Sequence, residues 1–247
     1  MKKKILLILF LQSFSLFAAK IGLLVVATNK YIRFIDPLLD SADKYFCPGH
    51  KVTYFVFTDK YVTPRNNLVV THQEHRVWPY ATLLRSQTYL ENKHLFDDMD
   101  YLFACDADML FLSPVGDEIL AERVATQHPY FLAQRGTYET SNKSTAYIAP
   151  HEGSCYFAGG FYGGTRDVFM HMMKTVVART KQDLDRGIIA VWHDESQHNR
   201  YYVDYPPTKI LSPSYCYPEG QDPKKWHIES HIPKLLALDK NHEEMRS

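Results

Sequence analysis

Two short segments concentrate the side chains able to do chemistry. The first is Asp106-Ala107-Asp108, which follows the apolar run Tyr101 to Cys105. Hard oxygen ligands of this kind suit Mg²⁺ or Mn²⁺, cations that also bind diphosphate oxygens. Two carboxylates cannot fill an octahedral shell, so diphosphate and water would supply the rest, and the cation would offset charge on a departing diphosphate. Acidic pairs also occur at strand ends by chance, and these residues alone leave both readings open. The second segment is Trp192-His193-Asp194-Glu195-Ser196, which joins a stackable ring, an imidazole and two adjacent carboxyl groups. Acids at a helix start can be mere dipole partners or caps. Alternatively, one carboxylate faces an electron-poor sugar carbon, as in glycosidases, while the other accepts hydrogen bonds from hydroxyls. A third feature is Gly159-Gly160 and Gly163-Gly164, four glycines within six residues. They mark a bulge or a close backbone approach and leave room for a sugar or an N-acetyl group. The run is no phosphate-binding loop, since neither G-x-G-x-x-G nor G-K-S/T is present.

Such groups need a scaffold. Ile21 to Ala27, Val52 to Phe57, Asn67 to Thr71 and Tyr101 to Cys105 read as short buried strands. Residues 31–46 carry apolar positions at helical spacing, with Pro37 marking a kink or a first turn. A second helix is expected over Tyr80 to Leu95. This order predicts an α/β fold with a mainly parallel sheet, and ligands bind beyond the carboxyl ends of strands in such sheets. Asp106 sits at such an end. In the second half, Phe131-Leu132, Ala146 to Ile148 and Ser154 to Ala158 read as strands of a mixed sheet, interrupted by the glycine run. Helices are expected over Asp167 to Ala178 and Asp194 to Tyr202, and a strand over Thr208 to Leu211.

The chain has 247 residues, enough for one sizeable core. We expect a leader over residues 1–19 and one domain over 20–247. The leader has a Lys2-Lys3-Lys4 cap, an apolar centre and an Ala18-Ala19 end, fitting a signal peptide or a short uncleaved anchor. Export or membrane association follows from that reading, with the cytoplasmic membrane face as the alternative. Lys plus Arg and Asp plus Glu each number 28, giving zero net charge, and basic residues do not cluster beyond the leader. A nucleic-acid partner is therefore not expected. Cys47, Cys105, Cys155 and Cys216 are scattered, so neither a zinc site nor a redox dithiol is indicated. Aromatic residues make up 14% of the chain, a supply of flat faces for sugars or bases.

Taken in order, several stretches carry a resemblance. They are Tyr54-Phe55-Val56-Phe57-Thr58-Asp59, Asp100-Tyr101-Leu102, the run Gly159 to Gly164, Ala190-Val191 with Trp192 to Ser196, Pro207-Thr208-Lys209, Leu211-Ser212-Pro213 and Lys240-Asn241-His242. From about Ile21 to Arg246 the chain resembles glycosyltransferase family 6, which includes the ABO blood-group transferases and the α-1,3-galactosyltransferase. The resemblance implies a GT-A fold, a Rossmann-like nucleotide-binding half continuous with an acceptor-binding half. It implies retaining transfer of N-acetylgalactosamine or galactose from a UDP-sugar, in α-1,3 linkage, to a galactose-type glycan. Asp106 and Asp108 match the family's metal motif for Mn²⁺ or Mg²⁺, with Asp106 also near the ribose. Many bacterial relatives have Asn-x-Asn there, so this chain looks like the metal-dependent branch.

By position, Val26, Ala27 and Thr28 match the strand end lining the uridine pocket, and Tyr31 an aromatic on the uracil. Arg85 matches an arginine near the donor sugar, although the spacing to Asp106 is shortened. Asp194 matches a partner of the donor hydroxyls, and Glu195 the proposed nucleophile, which also lies against the acceptor. His128 and Trp192 match acceptor contacts. Lys240 and Arg246 match basic residues closing over the diphosphate. Ala158-Gly159-Gly160 stands where the family sets donor choice, and its small third residue resembles the pattern of N-acetylgalactosamine users. Tyr130 and Tyr217-Pro218 depart from the blood-group enzymes and leave the acceptor open. A nucleotide-sugar hydrolase and a non-catalytic carbohydrate-binding module are the competing functions.

Overall fold

The computed structural model describes residues 18–246, with the Arg246 side chain left out. The expected leader therefore lies outside the described residues apart from Ala18 and Ala19. Among the described residues no helix is long and apolar enough to cross a membrane.

The first half alternates strands and helices: β1 (Lys20–Val26), α1 (Ile35–Tyr45), β2 (Lys51–Thr58), β3 (Leu68–His72), α2 (Tyr80–Leu83), α3 (Arg85–Glu91) and β4 (Tyr101–Cys105). The second half holds β5 (Met109–Phe111), β6 (Arg123–Gln127), β7 (Phe157–Thr165), α4 (Arg166–Leu184), α5 (His193–Asp204), β8 (Lys209–Leu211), β9 (Tyr217–Pro218), β10 (Leu235–Ala237) and α6 (His242–Arg246). Pro37 falls in the first turn of α1, where a missing N–H would have had no helical partner anyway. The helix expected over Tyr80 to Leu95 is three pieces instead. It breaks at Leu84 (φ −102°, ψ 13°), and Lys93–Phe96 is a separate 3-10 turn. The break turns Arg85 inward, toward buried carboxylates described below.

The main sheet has seven strands in the order β3-β2-β1-β4-β7-β6-β8. β7 runs antiparallel to both its neighbours, while the other pairings are parallel. Alternate side chains of the strands supply two cores. Leu23 and Val25 pack with Leu38 and Leu39 of α1, and Leu24 packs on the other face with Phe169 and Met173 of α4. A second sheet, β5-β10-β9, carries the C-terminal part of the chain back beside Asp108.

Four expectations for the second half need correction. The glycine run does not interrupt the sheet, because Gly159 to Gly164 lie inside β7, buried between β4 and β6. A Cβ at Gly163 would stand 2.3 Å from the Leu102 carbonyl oxygen, and one at Gly164 2.2 Å from that of Glu122. Glycine here marks close packing of backbones. The expected strand at Phe131-Leu132 is a 3-10 turn, Pro129–Phe131, and Ala146 to Ile148 form no strand. Of these residues, Ile148 joins a satellite cluster with Tyr138 and Tyr156, and Phe131 packs against it. Of Ser154 to Ala158, only Phe157 and Ala158 belong to a strand.

Candidate active site

The site forms at the carboxyl ends of β1 and β4, where the parallel half of the sheet leaves a cleft. Val26, Thr28, Tyr31, Arg85, Asp106, Asp108 and Lys240 line it together, and these are residues expected from the sequence. Ala27 is placed differently. Its side chain is wholly buried in the core behind β1, so it offers the cleft no side-chain contact.

Asp106 leaves β4 and is pinned by its amide, which donates to the Gly160 carbonyl at 2.9 Å. Arg85 forms a bridge. Its Nη1 pairs with Asp106 Oδ1, while Nε and Nη2 donate to Asp194 Oδ2 at 3.1 and 2.7 Å. Asp194 is only 1% exposed, so its charge needs that partner. The neighbouring carboxylates hold the Arg85 guanidinium protonated against its burial. Asp108 pairs with Lys240, whose ammonium also lies over the Tyr31 ring at 5.2 Å. Burial and the Asp106 charge raise the Asp108 carboxyl above its ordinary range despite Lys240.

The C-terminal segment covers this end of the cleft. The Leu238 amide donates to the Asp108 carbonyl at 2.9 Å, and Met245 of α6 reaches the cleft wall. Lys30 donates to the Glu244 carbonyl at 2.7 Å, and Arg33 pairs with the Glu244 carboxylate at 2.8 Å, tying α6 to the turn after β1. The Arg246 side chain is outside the described set.

Glu195 stands in the first turn of α5. His193, the first residue of that helix, is left-handed (φ 54°), a conformation costing about 1 kcal/mol or more for a non-glycine residue. The kink starts α5 with Asp194 and Glu195 pointing into the site. Glu195 Oε1 accepts from the Tyr156 hydroxyl at 2.8 Å, and Oε2 accepts from the Gly159 amide at 2.8 Å. No cation pairs with it among the described residues. Burial raises its carboxyl to about 7; the two hydrogen bonds pull the other way, and the charges of Asp194 and Asp106 add to the rise.

Gly159 earns its place by proximity, since a Cβ there would lie 3.5 Å from Glu195 Oε2 and 3.8 Å from Arg85 Nη2. Gly160 faces elsewhere: its Cβ would meet Cys216 Sγ at 3.0 Å and Asp106 Oδ2 at 3.7 Å. Ala158 is buried beside them in β7. His128 and Trp192, expected at the acceptor, lie outside the lining of the cleft. The His128 ring packs on Phe131 (4.8 Å) and Tyr156 (5.6 Å), its Nδ1 accepts from the Tyr130 amide at 3.2 Å, and burial lowers its pKa to about 4. Trp192 is 48% exposed, with its amide donating to Ser196 Oγ at 3.0 Å.

The structure adds residues that sequence reasoning passed over. His75 and Trp78 line the cleft from the segment leading into α2, and Ala81 and Thr82 from α2 itself, with His75 Nδ1 2.9 Å from Thr28 Oγ1. That segment has no periodic pattern, and a bulky Trp78 ahead of a helix was its one signal. Tyr156 sat in an expected strand, where alternation gave it no special role. Cys216 has no cysteine neighbour in sequence, and nothing there signals its place beside Gly160.

A mainly parallel α/β sheet with an acidic turn past a strand end, bridged by arginine to a second acidic pair, is the arrangement expected of a glycosyltransferase of GT-A fold. The chain belongs to glycosyltransferase family 6, whose model matches residues 7–247. It is 37% identical to histo-blood group ABO system transferase 1 of Rattus norvegicus, over 96% of this chain and 71% of that protein. Its identity to histo-blood group ABO system transferase 2 of the same species is 34%, over 96% and 74%. It is 32% identical to globoside alpha-1,3-N-acetylgalactosaminyltransferase 1 of Homo sapiens, over 92% and 68%.

Proposed function

We propose that the enzyme transfers N-acetylgalactosamine, or failing that galactose, from its UDP-sugar in α-1,3 linkage to a galactose-terminated glycan, with retention of configuration. The observation that carries this reading is the fixed Glu195 carboxylate, held through both oxygens beside the Asp194–Arg85–Asp106 chain. A group so placed either attacks the anomeric carbon or stabilises an oxocarbenium-like species when departure and attack share one face. Its elevated pKa leaves it with enough basicity to do either near neutral pH.

Val26, Thr28 and Tyr31 form the wall for the uridine, and Lys240 is the cation within reach of a diphosphate. Asp106 and Asp108 fit a divalent cation, Mn²⁺ or Mg²⁺. Both are hard oxygen donors, and burial together with the like charge of Asp106 raises the Asp108 carboxyl, a cost that a cation held between the two would relieve. When bound, such a cation supplies Lewis-acid stabilisation of the departing diphosphate. Arg85 keeps Asp106 and Asp194 in fixed orientation, so the donor meets a preorganised surface.

Gly160 matches the small third residue of the pattern of N-acetylgalactosamine users, which favours a donor with an acetamide over galactose. Rings beyond Glu195 favour a sugar acceptor over water. From Tyr156 the aromatic series continues through His128 to Tyr130, whose ring packs at a tilt against Trp226, centroids 4.3 Å apart. A mass-spectrometric screen of UDP-sugars against oligosaccharides, with and without EDTA, tests the whole reading. We expect a one-HexNAc mass increase on galactose-terminated acceptors that EDTA abolishes. Release of UDP and free sugar alone, unaffected by any acceptor, would establish a hydrolase instead.

A further inference from the structure

We infer that Tyr156 is a positioning residue for transfer, whose hydroxyl orients the Glu195 carboxylate and favours its ionised form. The inference rests on the role proposed above for Glu195. Its basis is a construction larger than one hydrogen bond. The phenol reaches Glu195 Oε1 at 2.8 Å while the Gly159 amide takes Oε2, so the carboxylate plane is fixed from two sides. The loop between β6 and β7 is folded around the Tyr156 ring. Phe131 meets that ring edge-on at 4.9 Å, Tyr138 does so at 5.0 Å, and His128 lies at 5.6 Å.

Gly136 closes the other side. A Cβ there would lie 2.1 Å from Tyr156 Cγ, a distance that no neighbouring side-chain adjustment of the ring's rigid first atoms could relieve cheaply. The backbone at Gly136 therefore lies against the ring, and the whole excursion of residues 128–156 acts as a vice on one phenol. Its buried cluster with Ile148 explains why apolar residues in that loop form no strand.

The electrostatic setting gives the hydroxyl its importance. From α5, Asp194 faces Glu195, and Asp106 approaches from the end of β4; both oppose a further negative charge. Arg85 of α3 comes near the same corner, within 3.8 Å of the vacant Gly159 Cβ position, but its hydrogen bonds end on Asp106 and Asp194. Cys216 also feels Glu195, and its thiol is pushed up by burial and by the surrounding carboxylates, so it adds no charge near neutrality. The neutral Tyr156 donor and the Gly159 amide are thus the groups hydrogen-bonding the ionised carboxylate. Losing the phenol must raise the Glu195 pKa, and a reaction needing the ionised form then loses its acid side.

The test is the pH profile of kcat for UDP-N-acetylgalactosamine with lactose as a soluble galactose-terminated acceptor. In Tyr156→Phe, the acid limb should move up by about one pH unit, because a hydrogen bond to a charged group is worth roughly tenfold in such an equilibrium. Transfer at pH 6.5 then falls roughly tenfold, while activity near pH 9 and KM for the donor stay close to the parent's. Gly136→Ala touches neither Glu195 nor the cleft, yet it displaces the ring and should move the limb the same way. An unmoved limb in Tyr156→Phe, with Glu195→Gln inactive, overturns this inference and spares the role of Glu195. Full transfer by Glu195→Gln overturns both.

Discussion

The site contains two acidic centres built on opposite principles. At Asp106 and Asp108 each carboxylate is matched by a cation, Arg85 or Lys240. At Glu195 the partners are a phenol and a peptide amide, both neutral, in an aromatic surround. The first centre suits a ligand that arrives carrying negative charge and metal, since its own cations can be shared or displaced. The second suits a group that must keep some basicity, and full neutralisation by a lysine or arginine would remove it. The same side-chain chemistry is thus tuned to binding in one place and to reaction in the other, by choice of neighbour alone.

The comparison can be broken most directly at Glu195. Glu195→Gln keeps both hydrogen-bonding atoms' positions nearly unchanged but removes the charge. Transfer should drop by about 10³-fold or more, while calorimetry finds UDP binding intact. Loss of UDP binding in that variant would place Glu195 in the ionic centre after all. Next in size is Arg85→Ala, which strands Asp194 as a buried, unpaired charge. It should destabilise the fold by about 3–5 kcal/mol in urea or thermal unfolding, more than a purely ligand-facing arginine would. The smallest effect is expected from Lys240→Met. UDP affinity should weaken roughly tenfold, about 1.4 kcal/mol. An unaltered affinity would show that Lys240 serves only to close the chain over Asp108.

The two halves of the molecule were not equally legible in the sequence. Continuous β-rich runs foretold β1, β2 and β4 to within about a residue, because a strand buried on both faces needs little beyond apolar β-branched and aromatic residues. That in turn placed Asp106 at a strand end. The glycine run of β7 misled, since low strand propensity was overridden by backbones too close for any Cβ. Phe131 and Ile148 misled for another reason: their hydrophobicity is used to grip Tyr156, and a three-ring cluster has no period to detect. The residues of the cleft itself were legible where type mattered, as at Asp106, Asp108 and Glu195. They were not where geometry mattered, as at His75 and Tyr156, whose roles depend on segments distant in sequence.

The crowding along β7 also bears on how such an enzyme can change. Positions 163 and 164 are locked, because a single methyl group at either would strike the main chain of a neighbouring strand. At 159 and 160 the nearest neighbours are side chains, Glu195 and Cys216, and of these Cys216 can be altered in step. A directed-evolution library aimed at new donors therefore has a natural address: residues 158 to 160 varied together with Cys216, and the rest of the strand left alone.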